Sequence, residues 1–168
     1  MIEIRRATRI DAPAAWEIRK TAILAQCVGH YPLTSLLAWT DGAPGDKWAN
    51  LVVERDFYVA LHEGSVAATG MLTPSTRQVD AIFVSPSHMG KGLGRHMLSF
   101  IEELATEHAL DSLRLDATLN AASFYRRFGW SGEAISTYRS PGGLELACIP
   151  MTKTISPVIP TSEDKLSP

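Results

Sequence analysis

The chain of 168 residues carries 16 basic and 18 acidic side chains for a net charge of −2, with 45% hydrophobic and 20% charged residues. That composition fits one soluble globular domain large enough to enclose a core. Near balance of charge excludes a global field that would gather nucleic acid or an anionic membrane, so function must lie in local sites.

Two cysteines, Cys27 and Cys148, are too few for a disulfide framework or a metal-ligand cluster. Reduced thiols, a cytoplasmic location and no metal are therefore expected. No apolar run approaches the roughly 20 residues that cross a bilayer, and the first residues lack the apolar segment of a secretory leader.

In chain order, Ile2 and Ile4 alternate with polar neighbours and predict a first strand. Asp11 reads as the N-cap, and Pro13 as a first-turn residue, of a helix with Ala14, Ala15, Ile18, Ala22 and Ala25 along its apolar stripe. Gly29 and Pro32 stop it. A short helix over 33–39 and another over 47–55 flank the turn-rich 41–46 segment. Phe57, Val59 and Leu61, the turn at 62–65 and the run 66–72 predict an antiparallel hairpin, and 78–84 a further strand. Behind a glycine-rich stretch, Leu93, Met97, Ile101 and Leu104 recur at helical spacing. Leu113 and Leu115 mark a strand, 121–128 a short helix, and 133–138 and 144–152 two late strands. The sum is a mixed α/β (α+β) domain over 1–155, with about seven strands and helices on both sheet faces. Residues 156–168, with three prolines, are expected to be a flexible tail.

The informative segment is Val84-Ser-Pro-Ser-His-Met-Gly-Lys-Gly-Leu-Gly-Arg95, which follows a strand and opens a helix. Gly90, Gly92 and Gly94 remove every second side chain, so backbone N–H groups can approach an anion at a helix start. Lys91 and Arg95 add formal charge, and Met89 and Leu93 complete the loop. A Walker A loop would need glycine at Ser85 and Ser or Thr at Gly92. A Rossmann fingerprint starting at Gly90 would need glycine at Arg95. A close-packing surface turn stays open as the plain alternative.

This segment resembles the acetyl-CoA loop of the GCN5-related N-acetyltransferase (GNAT) superfamily, usually (Arg/Gln)-x-x-Gly-x-(Gly/Ala). Met89 stands where that family commonly has Arg or Gln. A second stretch, Leu119-Asn-Ala-Ala-Ser-Phe-Tyr-Arg-Arg-Phe-Gly-Trp130, is similar to the other GNAT signature. Asn120 there falls at a helix start, where its side chain can cap. The resemblance covers roughly residues 2–154. It implies a mostly antiparallel twisted sheet, acetyl-CoA as cosubstrate, and a small-molecule or protein amine as acceptor, with a homodimer possible. It also implies that Asn120 contacts the pantetheine arm and that Tyr125 protonates the departing thiolate. Without it, Tyr125 reads as a core aromatic with its hydroxyl tied to backbone. Phe124, Phe128 and Trp130 read as core.

The implied reaction is direct attack of a neutral amine on the thioester, with backbone N–H groups near Phe83 and Val84 holding the developing oxyanion. Neither cysteine is required. Asp80, on one strand face with Ile82 and Val84 by period two, is the candidate base; a salt-bridged strand-edge aspartate is its alternative. Asp116 reads as a turn or cap residue, and Glu54 cannot be placed. His30, Tyr31, Trp39, Trp48 and Tyr138 are candidates for an aromatic acceptor pocket, or else for packing. His30-Tyr31-Pro32 and Trp39 resemble a bacterial GNAT subgroup of unassigned substrate. The competing class is a catalytically weak acyl-CoA-binding sensor or interaction module.

Overall fold

A computed structural model describes residues 1–155; the expected tail at 156–168 lies outside the described residues. Turn-bounded, β-prone stretches form seven strands: β1 (Ile2–Arg6), β2 (Asp56–His62), β3 (Ser65–Thr73), β4 (Gln78–Val84), β5 (Ser112–Ala117), β6 (Ser136–Arg139) and β7 (Glu145–Thr154). They make one sheet in the order β1-β2-β3-β4-β5-β7-β6, antiparallel at every pairing except β4 with β5. Between β5 and α5 the chain turns at 118–121, beside the C-terminal end of that one parallel neighbour.

Helices cover both faces. On one side α4 (Leu93–Glu107) buries Leu93, Met97, Leu98, Ile101 and Ala105, and α5 (Ala122–Arg127) buries Ala122 and Tyr125. Fully burying a side chain of Leu, Ile or Met size contributes about 1.5–3 kcal/mol, so the α4 stripe alone anchors that helix. On the other side lie α1 (Ala12–Gln26), α2 (Leu33–Thr40) and α3 (Asp46–Glu54), over Val52, Phe57 and Val59 and a smaller cluster of Ile23, Cys27 and Leu36.

Three local expectations are corrected. The stripe of α1 runs through Ala12, Ala15, Ile18, Ala22 and Ile23, while Ala14 and Ala25 are exposed. Asp11 precedes α1 but makes no side-chain cap. Its carboxylate instead pairs bidentately with Arg5, at 2.7 and 3.0 Å, and accepts from the Thr8 N–H at 2.7 Å. That partnership holds the Asp11 carboxyl below its ordinary range. β6 also starts later than its pattern implied, because Ser131 bridges to Thr152 and leaves 132–135 irregular.

The sheet is interrupted at one place. β4 and β5 pair only at Gln78↔Arg114. Just beyond, β4 bulges: Thr69 pairs with Phe83 and Met71 with Asp80, so Ala81 and Ile82 together face Gly70. Ala81 sits at φ +55°, a left-handed conformation seldom taken outside glycine. The extra residue bends β4, and the inner edges of the two strands part.

Candidate active site

The gap between β4 and β5 is the floor of a cleft open to solvent. Its walls come from α1, the Tyr31 segment, α2, β4, β5, the 118–121 turn, α5, β6 and β7. Of the residues expected in the site, Asp80, Phe83, Asn120, Tyr125, Tyr31 and Trp39 all line it. Tyr138 and Asp116 line it as well.

Asp80 reaches the cleft by a different route from the one its spacing suggested. Its partner Met71 packs in the core beneath α1 and α3, whereas Ile82 and Val84 pack on the α4 side. The bulge at Ala81 breaks the two-residue alternation and puts Asp80 on the opposite face. Burial pushes its carboxyl above the ordinary range; the Gln78 amide, at 3.4 Å, opposes this and the Asp116 charge reinforces it. Asp116 is an exposed β5 residue at the cleft wall, paired with Pro150 rather than capping a turn.

Tyr125 is 7% exposed, and no hydrogen bond to its hydroxyl occurs among the described residues. Burial pushes its phenol well above its ordinary value, and the Asp80 charge adds to the shift. The two groups therefore share one electrostatic environment. Asn120 does not cap α5, whose N-cap is Ala121 without a side-chain bond. Its Oδ1 is instead buried with no partner, an acceptor waiting for a donor. Burial raises the thiols of Cys27 and Cys148, both cleft residues, so neither carries thiolate at neutral pH.

Beyond β4 the chain turns through Pro86–His88 into the glycine loop and α4. Gly92 is the N-cap of α4 at φ +79°, which a side chain would strain. Gly94 has a second reason: a Cβ there would meet Phe124 at 3.2 Å. Met89, Gly90, Lys91 and Arg95 are exposed, and the Arg95 guanidinium lies 5.7 Å over the Phe128 ring. Leu93 points the other way, into the core, leaving only its backbone to face a ligand.

Residues 54–131, from the end of α3 to just past α5, match the family model of the acetyltransferase (GNAT) domain. A GCN5-related N-acetyltransferase from Rhodopseudomonas palustris is similar over 90% of this chain and 94% of its own, at 25% identity and a TM-score of 0.83. The family match and this likeness support membership of the GNAT superfamily, and the seven-stranded sheet matches the GNAT fold. The GNAT fold is shared with PaiA N-acetyltransferase from Thermoplasma acidophilum, in complex with coenzyme A, over 92% of this chain and 99% of that one, at 18% identity and a TM-score of 0.69. It is shared likewise with YncA from Salmonella typhimurium, solved with its cofactor acetyl-CoA, over 93% and 95%, at 22% identity and a TM-score of 0.62.

Several expected residues take other places. His30 is exposed and outside the cleft lining. Trp48 is a packing residue, stacked edge-on with Trp16 and Phe57 and donating to the Ala12 carbonyl. Glu54 ends α3, exposed and away from the cleft. Tyr31 lines the cleft, but its hydroxyl is engaged: it donates to the Ala147 carbonyl at 2.6 Å and accepts from the Leu119 N–H at 3.0 Å. The Ser85 N–H bonds the Ala67 carbonyl, so ladder alternation turns the Phe83 N–H toward β3 and the Val84 N–H toward the open edge. Phe83 thus offers the cleft a side chain. Phe124, Phe128 and Trp130 belong to the α4-side core.

Gln26 was not singled out from the sequence. Its amide donates to the Val84 carbonyl at 3.1 Å and to the Met89 sulfur at 3.3 Å, tying α1 to the loop. It follows Ala22 by one helical turn, so the buried side of α1 was the available signal. No group of three or more potential metal ligands occurs among the described residues.

Proposed function

We propose that this chain transfers the acetyl group of acetyl-CoA to a primary amine, with Tyr125 as general acid and Asp80 as base. The observation that carries the reading is the cleft at the β4–β5 gap, where Tyr125 and Asp80 both line the wall and the Asp80 charge reaches the Tyr125 phenol. The residues present fit the cosubstrate. The Gly92 turn and the start of α4 offer backbone N–H groups to a pyrophosphate, with Lys91 and Arg95 beside them. The orphaned Asn120 Oδ1 suits an amide N–H of a pantetheine arm.

Acetyl-CoA supplies an activated acetyl thioester; the side chains supply proton management. Asp80 takes a proton from the incoming ammonium, directly or through water, and its raised carboxyl makes it a better base than an ordinary aspartate. The Val84 N–H, on the open edge of β4, stabilises charge growing on the carbonyl oxygen. Tyr125 donates to the sulfur as the C–S bond breaks. A free thiol titrates near ~8.5 and a phenol near ~10, so Tyr125 is fully protonated at neutral pH. Burial weakens it as an acid but disfavours a bare thiolate in the same place as well.

Titration of the purified protein with CoA, followed by a thiol-release assay over an amine panel, tests this reading. Saturable CoA binding with amine-dependent thiol release is the expected result. Binding without turnover on any amine points to an acyl-CoA-binding module, and absence of binding removes both.

A further inference from the structure

Trp39 and Tyr138 close the acceptor end of the cleft, with ring centroids 6.5 Å apart. Behind them is Arg19 of α1. Its guanidinium lies 5.0 Å from the Trp16 ring centroid and 6.0 Å from that of Trp39, and Nη2 donates to the Trp39 carbonyl at 3.1 Å. Nη1 is sealed from solvent without a partner, and Arg19 has no ion pair among the described residues. A half-buried cation lacking a counter-ion carries a desolvation cost that two indole faces offset only in part. Burial accordingly holds the guanidinium below its ordinary value.

The opposite charge lies across the same space. The Tyr138 phenol feels the charges of Arg19, Asp80 and Asp116, and of these three only the two carboxylates line the cleft. The acceptor end is therefore polarised, with a cation behind the aromatic pair and carboxylates toward β4 and β5. An amine alone would satisfy only the second half.

We infer that the acceptor is a small amine that also bears a carboxylate or comparable anionic group, its amine drawn toward Asp80 and Asp116 and its anion paired with Arg19. This rests on the acetyl-transfer reading and narrows it. Planar, forked Arg suits a carboxylate better than a point charge does. Arg19 is not itself a cleft-lining residue, so the Trp39 and Tyr138 rings, on the short α2 and the four-residue edge strand β6, have to part over Nη1 when the acceptor binds. A protein amine, with no anion fixed at short range from it, makes only half of these contacts.

The test uses matched acceptors: amino acids, their carboxamides and their decarboxylated amines, assayed with the full-length chain and acetyl-CoA. In the wild type, kcat/KM is expected to be at least tenfold higher for the carboxylate in one or more matched sets, expressed mainly in KM. In Arg19→Gln that ratio should fall at least tenfold, and Arg19→Lys should lie between the two. Equal use of carboxylate and carboxamide by the wild type overturns the inference, as does an Arg19→Gln ratio within twofold of wild type. Should Arg19→Gln fail to fold by circular dichroism, the wild-type comparison and Arg19→Lys still decide. Turnover confined to carboxylate-free amines sinks this inference and leaves acetyl transfer standing. Absence of CoA binding, or of turnover on every amine, sinks both.

Discussion

The two halves of the proposed site are built in different ways. The loop at 89–95 is one contiguous segment that presents backbone, with its long side chains exposed and Leu93 turned into the core. The acceptor end is assembled from side chains on α1, α2 and β6, and its polarity arises only when Arg19, Trp39, Tyr138, Asp80 and Asp116 meet. A backbone cradle is written locally, in glycine spacing. A side-chain pocket is written in the topology. The proposed cofactor site is therefore readable from a short motif, and the proposed acceptor site is not.

The largest expected effect falls between the two halves. Tyr125→Phe should lower kcat by about 10²–10⁴-fold, the usual worth of a positioned general acid, while the acetyl-CoA Kd from calorimetry moves little. Unchanged turnover would remove Tyr125 from the chemistry. At the loop end, Gly92→Val places a β-branched residue at φ +79°. It should weaken CoA binding about tenfold or more, matching a strain of ~1–2 kcal/mol with crowding of the anion site. An unaltered Kd would refute the cradle.

Asp80→Asn probes the side-chain half through pH. Because burial raises the folded-state pKa of Asp80, the native chain holds that proton over a window where the unfolded chain has lost it. Stability is thus lost as pH rises through the window, and above it the buried carboxylate remains a cost. The variant should therefore melt at a higher temperature than wild type at pH 7, with the gain vanishing below the ordinary carboxylate range near ~3.9. Its activity should fall, and the acid limb of kcat/KM should disappear. Lower stability at pH 7 would favour a structural aspartate instead. The smallest effect is expected at Met89→Arg, which brings the loop to the residue type usual in the family. About two- to fivefold tighter CoA binding follows from adding one exposed charge near a phosphate, since such pairs contribute ~0.4–1 kcal/mol. Weaker binding would show that the Gln26 amide contact at the Met89 sulfur orders the loop.

Most of the fold was legible because its patterns are local. Phe57, Val59 and Leu61 alternate on β2, and Leu93, Met97 and Ile101 repeat on α4, so both elements follow from spacing. The face of Asp80 was not legible. An alanine at φ +55° carries no sequence mark of the bulge it makes, and alternation fails there. Asn120 looked like a cap because it is the right residue type near a helix start, yet α5 begins two positions later and the amide turns to the cleft. His30, Tyr31 and Trp39 looked alike as aromatic candidates, and only packing distinguished an exposed ring, an engaged hydroxyl and a cleft wall. Arg19 was one charge on a helix until Trp16 and Trp39 enclosed it.

The double hydrogen bond of Tyr31 has a mechanical consequence. Where β4 and β5 part, no backbone ladder spans the gap, yet one phenol oxygen from the N-terminal half grips both the Leu119 N–H and the Ala147 carbonyl. The phenol ties the segment between α1 and α2 to the turn after β5 and to β7. The segment between α1 and α2 is thereby fastened to the far wall of the cleft by one side chain outside the strands, so Tyr31→Phe is expected to loosen that wall while every strand keeps its register.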